Sequence, residues 1–221
     1  LCLRAGRVAA VEVDRTLAPI LAETLGEFSN LHILWQDILK VDIPALVQAE
    51  LPGLRPMACA NLPYYITSPV LTALLEARCF SSVTVMVQKE VAQRMAAAPG
   101  SRDYSAFTVF CNYYAQPELL FDVPPSCFLP QPKVTSSVIR LNVRQAPPYP
   151  VADEELFFRV VRASFAQRRK QLQNGLAAGF PALGKEIIGD ILRNCGLSPT
   201  VRGETLDIPT FARIAAAIGR A

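Results

Sequence analysis

The run Asn61-Leu62-Pro63-Tyr64 carries the sharpest chemical signal in this chain of 221 residues. At average residue usage this tetrapeptide arises by chance in about one chain in a thousand of this length. An asparagine oxygen and a nearby backbone carbonyl can accept the two N–H groups of a nucleobase amine. They then hold toward a methyl donor a nitrogen whose lone pair is otherwise delocalised into the ring. Proline supplies a rigid turn, and Tyr64 a flat surface on which an extruded base stacks. A sulfonium methyl is a good electrophile and the proton can leave after the attack, so this chemistry is mostly positioning. The competing reading is a β-turn with a buried tyrosine.

Two carboxylates could serve a nucleotide. Glu12 closes the apolar stretch Val8–Val13, where an acidic residue can accept hydrogen bonds from ribose hydroxyls. Asp37, twenty-five residues on, can accept from an exocyclic amine such as that of adenine. A solvated strand-end acid and a turn cap are the alternatives. A third group is basic: Arg159, Arg162, Arg168, Arg169 and Lys170 fall within Phe158–Gly175, which holds no acidic residue. That pattern suits a polyanion, with a solvated helix face as the alternative. Helical periodicity keeps all five from pointing one way, and Arg168, Arg169 and Lys170 are the preferred contacts.

The elements that must position these residues read as alternating strands and helices. Val8–Val13, Leu31–Leu34, Met57–Ala60 and Ser82–Val87 are short apolar strand candidates. Leu17, Ile20, Leu21, Thr24 and Leu25 follow helical spacing up to Gly26. Strands separated by helices of about ten residues argue for an open parallel sheet, whose ligands bind beyond the carboxyl ends of the strands. Glu12, Asp37 and Asn61 all stand at such ends. Glu118–Val123 and Val134–Val143, joined by a proline-rich loop, read as an antiparallel hairpin at a sheet edge. Ala146–Pro150 reads as a linker.

Beyond the linker the pattern is helical. Phe157, Val160, Val161, Ser164 and Phe165 form one face; Ile187, Ile188, Ile191, Leu192 and Cys195 a second; Phe211, Ile214, Ala215 and Ile218 a third. Asp207 is placed to cap the last helix, with Pro209 in its first turn.

Composition bounds the function classes. With 51% hydrophobic and 19% charged residues the chain is globular, and its length allows one large domain or a core with an appendage. The six cysteines form no close C-x-x-C pair and there is one histidine, so no metal site is expected. The cysteines read as small buried hydrophobes, and His32 and Trp35 as packing residues. No apolar run reaches the ~18 residues of a membrane span, so the expectation is a cytoplasmic protein with no membrane partner. Residues 1–150 carry 12 basic and 12 acidic residues, and residues 151–221 carry 10 and 7. The net charge of +3 therefore resides in the tail.

Five motifs occur together in order: V-E-V-D-R around Glu12, Q-D-I-L-K-V-D around Asp37, N-L-P-Y at Asn61–Tyr64, F-L-P-Q-P-K-V-T-S-S-V at Phe128–Val138, and F-A-Q-R-R-K-Q-L at Phe165–Leu172. Over nearly its whole length the chain resembles the S-adenosylmethionine-dependent rRNA adenine N6,N6-dimethyltransferases, the KsgA/Dim1 family. The resemblance implies an α/β fold: a Rossmann-like class I methyltransferase core over residues 1–145 and a small all-helical, rRNA-binding C-terminal domain over residues 151–221. It implies that Glu12 binds the ribose of S-adenosylmethionine and Asp37 its adenine amine, with the backbone of Ile38 near the same ring. Asn61 would touch both cofactor and target amine, Tyr64 would stack on the target adenine, and Phe128 would close over its other side. The implied substrate is a pair of adjacent adenosines in the 3′-terminal hairpin of small-subunit rRNA, each methylated twice. The implied partner is a pre-30S-type ribosomal particle, and the protein acts as a monomer.

Two departures stand out. Gln36 occupies a position where the family usually has glycine, and the family's glycine-rich loop, E-x-G-x-G-x-G, is not in the chain. Because Leu1 is followed almost at once by strand-like sequence, the expectation is a chain entered part-way through its fold, without the first strand and with weakened cofactor binding. Three other readings compete. One is a large-subunit dimethyltransferase of the macrolide-resistance type, and another is a non-catalytic RNA-binding fragment in ribosome assembly. The third, a nicotinamide-dependent oxidoreductase, matches Glu12 and leaves N-L-P-Y without a role.

Overall fold

The computed structural model describes residues 1–149, 151–198 and 200–221. Pro150, the last residue of the expected linker, lies outside the described residues. The chain divides into two compact units, Leu1–Val87 and Gln88–Ala221.

The first unit alternates strands and helices: β1 (Val8–Glu12), α1 (Ala18–Leu25), β2 (Leu31–Trp35), α2 (Ile43–Glu50), β3 (Met57–Asn61), α3 (Thr67–Glu76) and β4 (Ser82–Gln88, its last residue opening the second unit). β1 runs parallel to β2, from Val8 opposite Leu31 to Glu12 opposite Trp35. β3 runs parallel to β4, from Met57 opposite Ser82 to Asn61 opposite Met86. The expected parallel pairing is present, but as two ladders: β1 and β2 form a sheet of their own, separate from the one that holds β3 and β4. The sequence pattern shows each strand, but not which neighbours complete the ladder.

Burial explains why these segments hold. Val83, Val85 and Val87 alternate into the core along β4, the period of a strand with one deeply covered face. On α3, Val70, Leu71, Leu74 and Leu75 are buried at helical spacing. Asp42 caps α2 by accepting from the backbone N–H of Ala45. His32, expected to pack, is instead half-exposed, its Nδ1 2.8 Å from Glu50. Glu50 also receives Arg7 at 2.8 Å, and these partners hold its carboxyl below the usual range, Arg7 foremost. The period of a five-residue strand does not reveal which face is left open, and that is where His32 lies.

The second unit opens with α4 (Lys89–Met95) and α5 (Ala106–Tyr114), two helices the sequence pattern did not announce. Their signal was short: Ser105 and Thr108 form a reciprocal capping box at the start of α5. β5 (Ala115–Val123) and β6 (Ser136–Val143) then form the expected antiparallel hairpin, with an irregularity between Leu119 and Phe121. The rest is helical: α6 (Glu154–Ala166), α7 (Leu172–Gly179), α8 (Gly184–Asn194) and α9 (Ile208–Ile218).

α6 is the hub of this unit, packing against α5, α7 and α9. Phe157, Val160, Val161 and Ser164 are buried as the spacing requires, as are Ile188, Ile191 and Leu192 of α8 and Phe211, Ile214, Ala215 and Ile218 of α9. Ile187, expected on the apolar face of α8, is 46% exposed, because burial of Ile188 and Ile191 turns it outward. Gly175 and Gly179 permit the close crossing of α7 over α6. A Cβ on Gly175 would lie 2.5 Å from the Ala163 carbonyl oxygen, and one on Gly179 2.6 Å from the Ala163 Cβ. Asp207 caps α9 by accepting from the Thr210 N–H, with Pro209 in the first turn.

One buried hydrogen bond ties the loop before α5 to the segment before α9. The Tyr104 hydroxyl donates to the Leu206 carbonyl at 2.8 Å, both residues being buried. Tyr104→Phe leaves that carbonyl without this donor, and should lower unfolding free energy by about 1–2 kcal/mol in urea titrations. A midpoint equal to the parent's would show that the bond contributes nothing net.

Candidate methyl-transfer site

The first unit builds the site from the ends of its strands. At the end of β1, the half-buried Glu12 accepts from the backbone N–H of Asp14 at 2.7 Å through Oε1. Asp14 in turn accepts from the Thr16 N–H at 2.9 Å and the Thr16 hydroxyl at 2.6 Å. These bonds hold the Asp14 carboxyl below its usual pKa, the hydroxyl contributing most. The turn after β1 is thereby stiffened around Glu12, whose carboxylate keeps acceptor capacity beyond the one bond it makes.

Asp37 follows β2, two residues past Trp35, the register partner of Glu12. The two carboxylates therefore leave adjacent parallel strands at the same edge. Asp37 caps the 3-10 turn Ile38–Lys40, its Oδ1 accepting from the Leu39 N–H at 3.0 Å. The capping role and a ligand role are compatible, since one N–H uses only part of a carboxylate. Gln36 donates its backbone N–H to the Glu12 carbonyl at 2.9 Å and its side-chain amide to the Lys40 carbonyl at 3.1 Å. Gln36 thus braces the same turn.

Asn61 ends β3 and is exposed, on the strand face that also exposes Met57 and Cys59. Leu62 is buried and donates its N–H to the Met86 carbonyl at 3.3 Å, continuing the ladder one residue past the strand. Pro63 then breaks away. Its carbonyl accepts from the Ile66 N–H at 3.1 Å and from the Thr67 hydroxyl at 3.2 Å, folding Tyr64–Ile66 into a 3-10 turn that leads into α3. Tyr64 is 37% exposed and Tyr65 85%, so this is not the buried-tyrosine turn of the competing reading. Thr67 is buried, and no spacing or motif marks its part in the turn. α3 packs against both Tyr64–Ile66 and Ile38–Lys40, bringing the turns that follow β2 and β3 onto one helix.

Phe128 and the basic stretch belong to the second unit. Phe128 follows the 3-10 turn Pro125–Cys127 in the hairpin loop, half-buried, with its N–H donating to the Pro125 carbonyl at 3.1 Å. The fully exposed Leu129 comes next. Arg168, Arg169 and Lys170 are exposed and lie in the turn after α6, closed by the Lys170 N–H donating to the Gln167 carbonyl at 2.8 Å. They thus escape the helical periodicity that the sequence pattern imposed on them. Arg159 is otherwise engaged, donating to the Gly179 carbonyl at 2.8 Å with its guanidinium 4.4 Å from the centre of the Phe180 ring.

Of the six cysteines, Cys111 alone is fully buried; Cys59 and Cys127 are exposed, and Cys2, Cys79 and Cys195 are intermediate. The reading of all six as buried hydrophobes therefore holds for Cys111 only. Strand alternation places Cys59 outward, and the loop exposes Cys127.

The carboxylates and the Asn-Leu-Pro-Tyr turn stand at the carboxyl ends of parallel strands, in a chain whose fold is that of the class I methyltransferases. Two solved structures share it. A dimethyladenosine transferase from Plasmodium falciparum matches with a TM-score of 0.80 at 23% identity, over 97% of this chain and 82% of that one. The 23S rRNA methyltransferase ErmE matches with a TM-score of 0.71 at 24% identity, over 99% and 84%.

The family described as Ribosomal RNA adenine dimethylase matches residues 1–207. Relatives named Ribosomal RNA small subunit methyltransferase A include one from Geobacillus kaustophilus, 48% identical over 222 residues, covering 99% of this chain and 76% of that protein. Another, from Alkaliphilus oremlandii, is 44% identical over 213 residues, covering 96% and 74%. The chain belongs to the ribosomal RNA adenine dimethylase family, and is a methyltransferase.

The exposure of Cys59 two residues before Asn61 gives a direct check on the site's geometry. Iodoacetamide should label Cys59 and Cys127 in the native protein. Cys111, whose thiol pKa burial pushes up, should react only after unfolding. Peptide mass spectrometry reads the result, and native labelling of Cys111 would contradict the packing of α5.

Proposed function

We propose that the protein transfers methyl groups from S-adenosylmethionine to the N6 amines of two adjacent adenosines in the 3′-terminal hairpin of small-subunit rRNA, each methylated twice, within a pre-30S-type particle. The observation that carries this reading is the Asn61–Tyr64 run at the carboxyl end of a parallel strand, bent by Pro63 so that an exposed amide and an exposed ring follow one another. The names of relatives spanning nearly the whole chain favour the small subunit over the large.

The residues present fit the nucleoside part of the cofactor. Glu12 offers a carboxylate for the ribose hydroxyls, and Asp37 one for the adenine amine, with the Ile38 backbone beside it. Bound S-adenosylmethionine supplies an electrophilic methyl group. The chain's own residues do the rest. The Asn61 oxygen accepts one N–H of the target amine while a backbone carbonyl accepts the other, holding the lone pair in line. The Pro63 carbonyl already serves Ile66 and Thr67, so its role is to fix the turn. Tyr64 stacks on the extruded adenine, and Phe128 is proposed as a second aromatic contact for that base. Arg168, Arg169 and Lys170 neutralise RNA phosphates. In this division of labour residues 1–145 carry methyl transfer and residues 151–221 hold the RNA, and the protein works as a monomer in the cytoplasm.

Asn61→Ala should lower methyl transfer by about 100-fold while leaving RNA affinity nearly intact, because it removes positioning and no phosphate contact. Activity equal to the parent's would remove the central residue of the mechanism. Asp37→Asn, which can still cap the 38–40 turn, should weaken cofactor binding by about tenfold in calorimetry with little change in melting temperature. Methylation assayed on separated ribosomal subunits decides the substrate: product on the large subunit alone would overturn the assignment.

A further inference from the structure

Lys89 opens α4 directly after β4, and it reaches both ends of the hairpin loop 124–135. Its backbone N–H donates to the Thr135 carbonyl at 3.0 Å, where the loop returns to β6. Its ammonium donates to Asp122 Oδ2 at 2.6 Å, where the loop leaves β5. The other oxygen, Asp122 Oδ1, accepts from the hydroxyl of the buried Ser137 at 2.6 Å. Both oxygens of the carboxylate are thus engaged in short charge-assisted bonds, which fix its orientation. Lys89 foremost, then Ser137, holds the Asp122 carboxyl below its usual range.

The backbone is arranged to bring these groups together. Leu119 lies opposite Ile139, but past the irregularity Phe121 lies opposite Val138 and Asp122 opposite Ser137. Counting on from Leu119 without that extra residue would set Asp122 opposite Ser136. The irregularity therefore gives Asp122 its partner. From Asp122 the chain runs to Phe128 along a stiff path. Val123 is paired with Ser136, and Pro124 and Pro125 fix two successive φ angles. The N–H groups of Cys127 and Phe128 then donate to the carbonyls of Pro124 and Pro125 at 3.0 and 3.1 Å. Beyond Phe128 the exposed residues Leu129, Gln131, Lys133 and Val134 carry the loop back to Thr135.

We propose that Lys89 is a positioning residue for methyl transfer, clamping the two ends of the loop 124–135 so that Phe128 is presented to the target base at one place. The proposal rests on the reading of Phe128 as a contact to that base, and names what holds it there. An aromatic side chain on an unclamped loop has to be ordered by each substrate as it binds, at a cost in conformational entropy. The Lys89 and Asp122 side chains are 44% and 49% exposed, so their pair contributes little to global stability. Its effect is local to the loop.

The test uses Lys89→Met, Lys89→Arg, Phe128→Ala and the double variant Lys89→Met/Phe128→Ala in the full chain. Two readouts are taken: kcat for methyl transfer to small ribosomal subunits, and the rate of native-state trypsin cleavage after Lys133. Lys89→Met keeps the stem and the backbone bond to Thr135 but loses the ammonium. It should lower kcat by about tenfold and speed cleavage after Lys133 by about fivefold, with little change in melting temperature. Lys89→Arg, which keeps the charge, should restore most of both. In the Phe128→Ala background the same Lys89 change should lower kcat by less than about twofold further, because the two residues act through one contact. Lys133 cleavage at the parental rate in Lys89→Met, or an equal loss of kcat in both backgrounds, would overturn this inference and leave the proposed function standing. A parental kcat in Phe128→Ala would sink the reading of Phe128 itself, and this inference with it.

Discussion

The way the chain leaves β3 is the constraint on which the site depends. A parallel strand ends by releasing its backbone from the ladder, and the freed groups must be satisfied at once or be left wet. Here the ladder is carried one residue past Asn61, by the bond from Leu62 to Met86, and is then cut by proline. The Pro63 carbonyl takes two donors, Ile66 and Thr67, so the direction of departure is over-determined. Asn61 and Tyr64 are exposed because the residues between and after them are anchored: Leu62 and Thr67 are buried, and they hold the exposed pair in place.

The same economy operates at the other strand ends. Asp14 and Asp37 spend side-chain oxygens on the turns that follow β1 and β2, which spares the backbone there from searching for partners. Gln36 ties the end of β1 to the 38–40 turn with both its backbone and its side chain. α3 then packs on the turns after β2 and β3 together. The turns that follow Asp37 and Asn61 are thus supported by a common helix, so a disturbance of either turn is transmitted through packed side chains and not through a flexible loop.

In the second unit the organising element is α6, whose buried face receives α5, α7 and α9. The aromatic residues of α5 continue that core, with Tyr113 5.1 Å from Phe157 and Phe110 5.5 Å from Phe158 between ring centres. The glycines of α7 and Gly203 let backbone approach backbone where side chains would hold them apart. What remains outside this core is the end of α6 and the turn beyond it, where three consecutive cations stand exposed.

The sequence by itself determined the family and most of the elements. Polar residues at the ends of short apolar runs marked Glu12, Asp37 and Asn61; helical spacing marked the faces of α6 and α9; and Asp207 with Pro209 marked where α9 begins. These signals are local, so a few consecutive residues suffice to express them. Tertiary structure alone decided what lies across distance. It split the parallel strands into two ladders, put His32 on Glu50 instead of in a core, exposed Cys59 and Cys127, and sent Arg159 to Gly179 and Phe180. It also joined Arg102 to the basic turn. No spacing rule links residues sixty-six positions apart, as Arg102 and Arg168 are; only the packed fold lets the Arg168 guanidinium donate to the Arg102 carbonyl.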